Sequence, residues 1–394
     1  MFQYLTPQDF GAAADGKTDD TRAIQQAIDK AGDSVGTVYF PAGTYRTNVL
    51  TLPPAVCLKS EPTWAIAHTG KTVLIPADEK QECIFEVSNA LGATIEGLCL
   101  DGREMGAEMH GISMRWERHT VRGEHALRIE RCKIQKFSGN GLNMIGSWAL
   151  SCRFCQSYAN GGHGLYMHGT DAFITDNWFS FNGKAGFGCD TWCSAVNFTA
   201  NRVEWNHECG MKLEGAMRFN ITGNYIDRSY GPAIVIKPAS NYHGRLQRTH
   251  TCMPYAISIT GNTISRSGKD AEPGSDRDCH LYISCATGIT VTGNTFTVWK
   301  DDGKNGRVSP WYGIIVEKLA DCVISNNTLM MGAVKKLLID RGGHYRNVII
   351  KDNSGMALPE SVWDVQDPFT PIHFLCEAHD PWFERQMPNE RISR

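Results

Sequence analysis

The chain has 394 residues with a formal net charge of −3, and it carries 39 glycines and 14 cysteines. Mixed charges that nearly cancel argue against nucleic acid or an anionic membrane as the main partner, and no run of about 18 apolar residues predicts a membrane span. Abundant Gly, Asn, Thr and Ser predict a turn-rich β protein, long enough to bury a large core.

The opening MFQYLTPQDFG lacks the basic and apolar regions of a leader peptide. With cysteines whose spacing completes neither a zinc site nor a disulfide framework, this reads as a cytoplasmic rather than a secreted chain; association with a phage particle is the other location that fits. Most cysteines, such as Cys99, Cys132, Cys285 and Cys322, sit inside apolar alternation and are expected to be small buried hydrophobes. DDTRAIQQAIDKAG predicts a helix that Asp20 or Thr21 can cap, with Ala23, Ile24, Ala27 and Ile28 on one apolar face.

From about residue 35 to 355 no helical period is visible; short strands recur instead. GLNMIG (141–146), GLYMHG (164–169), GFGCDT (186–191), GMKLEG (210–215) and AIVIKP (233–238) follow one another every 22 to 24 residues. HLYISC, GIIVEK and KLLIDR continue the series at wider spacing. Between them a second motif repeats, as in ITDN, FTAN, ITGN and VTGN, placing Asn177, Asn201, Asn224, Asn262, Asn294 and Asn327 in one register, with Cys132 and Cys155 before them. Such a period predicts an all-β solenoid, a right-handed parallel β-helix of about nine or ten coils with an N-terminal capping helix. Stacked coils about 4.8 Å apart would let the asparagines form an amide ladder. Residues 1–355 form one domain in this reading. The tail 356–394, with Trp363, Phe369, Phe374, Trp382 and Phe383, packs on the last coils or joins subunits.

DFGAAADGKTDDTRAIQQAI followed by GTVYFPAGTY resembles the opening of the pectate-lyase-like β-helix superfamily, especially its polygalacturonase-related branch; phage tailspikes open similarly. The resemblance implies a right-handed β-helix and a carbohydrate ligand, but not a reaction, since this fold hosts hydrolases, lyases, epimerases and binders. The aspartates of polygalacturonases are missing: the positions before the strand hold His110, Asn140, His163, Ala185 and Cys209, and only His163-Gly164 matches the GHG motif.

Alternation sends Leu165, Met167, Phe187, Cys189, Met211, Leu213, Ile234 and Ile236 inward. The outward fourth column reads Ile145, His168, Asp190, Glu214, Lys237, Ser284, Glu317, Asp340, and the second column includes Tyr166, Gly188 and Lys212. Asp190 and Glu214, stacked one coil apart, are expected to share a proton and thereby supply the acid and base of glycoside hydrolysis, with His168 beside them. Lys212, Lys237, Tyr166, His163 and Trp192 are the candidate substrate contacts, and Gly188 is read as a gap with room for a sugar. Glu204 and Asp227, outward on another face near Trp178, Arg202 and Tyr225, form a second acidic pair. Insertions at 240–256, 269–279 and 300–311, with Tyr242, Trp299 and Trp311, are candidate groove walls.

The leading expectation is a glycoside hydrolase acting on an oligo- or polysaccharide. A lyase or C5-epimerase on uronate sugars, using Lys212, Lys237 or His168 as base, is the alternative; a non-catalytic glycan binder of tailspike type is a third. No cofactor or metal is expected, save a calcium ion for a lyase. A homo-oligomer, dimer or trimer, fits the aromatic tail.

Overall fold

The structure, a computed structural model, describes residues 4–120, 123–242, 250–297 and 309–356. Those residues form a parallel β-helix. Thirteen short strands stack in one sheet and twenty-two in another, and apart from one short hairpin (Ala239–Tyr242 with His250–Cys252) every ladder between strands is parallel. This is more than the nine or ten coils expected. The early coils, with strands such as Gly43–Thr47, Thr72–Pro76 and Cys99–Asp101, stack in the thirteen-stranded sheet without the later repeat motif.

The first helix, α1 (Thr21–Lys30), buries Ala23, Ile24, Ala27 and Ile28 against the core. Asp20 precedes it but makes no side-chain cap. Its carboxylate instead accepts from the Ala13 and Ala14 amides at 2.7 and 3.0 Å, tying the entering chain to the helix start.

Inside the solenoid the eight inward residues named above are all 0 % exposed. The asparagine ladder runs as read. Asn177, Asn201, Asn224, Asn262 and Asn294 each donate an amide N–H to the next Oδ1 at 2.9–3.2 Å, and the stack ends on Asn353 through Asn327. The residue before each asparagine turns left-handed, with φ +66° at Gly223 and +65° at Gly261, where glycine is free of a Cβ penalty. A second ladder, Asn160–Asn182–Asn206, runs at another turn with links of 3.0 and 2.9 Å. Sequence reading missed it because Ser229 and Ser267 replace asparagine in the next coils.

Ten of the thirteen described cysteines are buried and none is paired. One column shifts at the far end: Asp340 pairs with Val316 rather than with Glu317, a one-residue slip that takes it out of the outward column. Register is weakly held there because the strand Lys336–Asp340 has no fully buried residue to fix it. The tail beyond 356, Trp299 and the Tyr242 side chain lie outside what the structure describes.

Candidate functional site

Three strands of consecutive coils carry the site: Leu165–Thr175, Phe187–Cys189 and Met211–Glu214, followed by Ile234–Lys237. Their pairing puts Tyr166 opposite Gly188 and Lys212 opposite Gly188 on the other side, and Glu214 opposite Lys237. Tyr166 and His168, two residues apart on one strand, face outward together. Asp190 follows Cys189 on the next coil.

The space over Gly188 is filled, contrary to the gap read from sequence. A Cβ there would lie 2.5 Å from His163 Nδ1. The His163 ring, 5 % exposed, lies over the glycine and stacks on Tyr166 with centroids 5.5 Å apart, while Nδ1 accepts from the Ala185 amide at 3.2 Å. So His163 lies buried against Tyr166 rather than reaching outward beside it. Burial pushes its pKa down to about 4, which keeps the ring neutral. His110, two coils earlier, likewise accepts from a backbone amide, that of Asn140 at 2.8 Å, and the Asn140 side chain in turn accepts from the His163 amide.

Tyr166 donates its hydroxyl to Asp190 Oδ1 at 2.5 Å. Burial, reinforced by the Asp190 carboxylate, pushes the phenol pKa well up, so this hydroxyl keeps its proton at working pH. His168, half-buried, meets the edge of Trp192 at 5.8 Å. Burial lowers its pKa, opposed by Asp190. At neutral pH it is an uncharged imidazole with a lone pair.

On the next coils Glu214 lies 3.1 Å from Lys237 Nζ and 3.7 Å from Lys212 Nζ, and Lys212 also meets Glu208 at 3.0 Å. Burial lowers the Lys212 pKa, but Glu208 and Glu214 outweigh it and raise the pKa overall. Asp190 and Glu214 therefore have separate partners, a tyrosine hydroxyl for one and two lysines for the other. The five charges of this patch (Asp190, Glu208 and Glu214 against Lys212 and Lys237) sum to −3 + 2 = −1.

The motif repeats farther on, where Tyr282 donates to Glu317 at 2.7 Å and Ser284 to the same oxygen at 3.1 Å. A tyrosine answering an acid one coil on is thus a stacking device of this face. What sets the first instance apart is the neutral His168 beside it and the lysines one coil beyond. Trp311 anchors a loop, its amide on Asp278 at 2.8 Å and Lys335 over its ring at 3.2 Å. A shallow depression of about 300 Å³ lies at Asp171, Phe173, Asn197 and Arg218 and contains no candidate residue. Among the described residues no cluster of three His, Cys, Asp or Glu could hold a metal.

Glu204 and Asp227 pair in register on the thirteen-stranded sheet. They face outward near the expected neighbours, yet both are 0 % exposed, because arginines and aromatic rings close over them. Arg202 and the Trp178 indole N–H reach Glu204 at 2.5 and 3.1 Å, and Arg266 reaches Asp227 at 2.5 and 2.9 Å.

A family model described as a right handed beta helix region matches residues 120–263. Mannuronan C5-epimerase AlgE5 of Azotobacter vinelandii is 28% identical over 267 residues, covering 64% of this chain and 26% of that protein. Alginate lyase 7 of the same organism is 31% identical over 199 residues, 47% of this chain and 23% of the relative. The chain thus spans about a quarter of these relatives' length. The solved structure of DFA-IIIase from Arthrobacter chlorophenolicus A6 in complex with GF2 superposes with a TM-score of 0.64, covering 90% of this chain and 98% of that one at 15% identity. That likeness is one of fold.

Proposed function

We propose that this chain, a right-handed parallel β-helix of the superfamily its opening residues resemble, is a carbohydrate-active enzyme that removes the C5 proton of a uronate sugar in a polysaccharide. The observation that carries the reading is one strand presenting two proton-handling groups of opposite habit: a neutral His168 and, two residues back, a Tyr166 hydroxyl fixed on Asp190.

Proton abstraction beside a carboxylate needs a base with a free lone pair at working pH, a cation against the charge that develops on the carboxylate, and a group holding a proton for the return step. His168 takes the C5 proton. The electron pair moves toward the sugar carboxylate, where Lys212 and Lys237 offset the charge. Tyr166 then gives its proton to one of two atoms. Delivery to C5 from the opposite face inverts that centre; delivery to the departing O4, as the C4–O bond breaks, leaves an unsaturated uronate. Asp190 and His163 hold Tyr166 in place. Relatives named as a mannuronan epimerase and an alginate lyase support this pair of outcomes. A shared proton between Asp190 and Glu214, which hydrolysis by that pair would use, draws less support from carboxylates with separate partners.

The test is incubation with mannuronan and polygalacturonate. Ultraviolet absorbance reports unsaturated ends, and proton NMR reports inversion at C5. His168→Gln and Tyr166→Phe are expected to lower either activity by about 10²-fold or more. Release of saturated reducing ends, undiminished in His168→Gln, would return the assignment to hydrolysis.

A further inference from the structure

On the thirteen-stranded sheet and the turn after it, away from Tyr166 and His168, two rows of aromatic and cationic side chains run across successive coils. In one row Arg202 lies between Trp178 and Tyr225, its guanidinium 4.7 and 5.7 Å from the two ring centroids. In the other, Tyr158 meets Phe181 edge to face at 5.4 Å, Phe181 stacks on Trp205 at 5.0 Å and 15°, and Arg228 covers Trp205 at 5.1 Å. Between the rows lie Glu204 and Asp227.

We infer that this face is a second glycan-binding surface, one that holds an acidic polysaccharide along the outward edges of its aromatic row and by Arg202. Three observations point there. Charge is layered: both carboxylates are 0 % exposed, while the Arg202 side chain is 50% exposed and Arg228 and Arg266 lie beneath with the acids at 14% and 2%, so the cation that solvent meets is chiefly Arg202. Arg228 and Arg266 neutralise Asp227 from within and Glu204 lies under Arg202, so the charge that this face turns to solvent is cationic and belongs to Arg202. The arrangement is preorganised, since the buried acids fix each guanidinium in a hydrogen-bonded pose and leave little freedom to lose on binding.

The third observation is backbone placement. Phe181, Trp205 and Arg228 all sit at left-handed φ, +58°, +52° and +51°. The turn imposes that conformation, and glycine or asparagine would meet it with less strain. The same turn position is left-handed at Lys136, Ala159, Arg266 and Met331, so the coil geometry holds this column in a fixed outward row, from which Phe181, 38% exposed, turns an apolar edge to solvent.

The inference rests on the acidic-glycan reading only for the charge of the ligand. Affinity electrophoresis in gels containing mannuronan or polygalacturonate, with neutral dextran as comparison, tests it. Wild-type protein should be retarded by the acidic polymers and not by dextran. In a Phe181→Ala/Trp205→Ala variant the apparent Kd should rise about tenfold or more, while turnover of short oligosaccharides stays unchanged. Arg202→Gln gives the same readout should the double variant lose its thermal transition. His168→Gln should lose turnover and keep its retardation. Strip-dependent retardation with no uronate turnover overturns the proposed reaction and leaves this surface standing. Retardation indifferent to the strip overturns the surface alone. A change in mass by sedimentation on substituting the strip identifies a contact between copies instead, and also overturns it.

Discussion

Replacing Asn201 with leucine tests the internal architecture at one residue. Asn201 is 1 % exposed. Its Oδ1 accepts from the Asn177 backbone and side-chain amides at 3.0 and 3.1 Å, and its Nδ2 donates to the Ile174 carbonyl at 2.8 Å and to Asn224 at 3.2 Å. Leucine fills a similar volume and removes all four bonds. The Asn177 side chain keeps the Cys152 carbonyl, and Asn224 keeps the residue-201 backbone amide. The Asn177 backbone N–H and the Ile174 carbonyl each lose a partner in a dry interior. At about 1–3 kcal/mol for each of the two orphaned groups, less about 1.5–3 kcal/mol from burying an apolar side chain, the expected loss is about 1–3 kcal/mol. Because coils interact chiefly with their neighbours, the loss should concentrate locally. The assay pairs urea unfolding with hydrogen exchange, which should show faster exchange at the amides of 177 and 224 than in remote coils. Asn220→Leu, on the exposed side of a neighbouring strand, is the control and should change stability by less than about 0.5 kcal/mol. Equal effects of the two substitutions would refute the ladder as a source of stability.

Gly188→Ala should displace His163 and with it Tyr166, lowering kcat on any uronate substrate more than KM; unchanged kcat would show that the Tyr166 pose is dispensable. Glu208→Gln frees Lys212 of its nearest acid and should lower KM for an anionic substrate at least severalfold, and an unaltered KM would argue that the sugar carries no charge there. His163 and His280 are held neutral by burial with folded pKa values of about 4, against 6.5 for the free side chain. Between those limits the unfolded chain binds protons that the folded chain refuses, so these residues make stability fall as pH drops from 6.5 toward 4 and contribute no slope above that window. Urea midpoints across the range check this, and His280→Phe should flatten part of the slope.

The solenoid was legible because two periodicities coincide: alternation within a strand fixes inward and outward residues, and one asparagine recurring per coil fixes the turn. Both survive in single residues such as Asn177 and Leu213. Contacts that cross between coils were not legible. The ring that fills the space over Gly188 comes from His163, a full coil away, and no spacing rule shows it leaning there. Glu204 and Asp227 follow the outward alternation and are nevertheless buried, because long arginine side chains and rings fold back over them. The slip of Asp340 has the opposite cause: at the last coils few buried side chains oppose a shift. Outward direction was thus readable for the candidate site, whereas partner choice depended on side-chain reach.

The buried thiols have a consequence for how the coils open. Cys83, Cys99, Cys132, Cys155, Cys189, Cys209 and Cys279 are spread along the stack, Cys83 and Cys99 on one coil and the others each on its own, and burial raises the pKa of each. A thiol in that state is protonated and shielded, so an alkylating reagent reaches it only when its own coil parts from its neighbours. The modification rate at each cysteine therefore measures the free energy of opening the coil that holds it. Read from Cys83 to Cys279, those rates form an internal gauge of where the stack unzips first, and the expectation for a one-dimensional array is that fraying begins at an end and reaches Cys189 last.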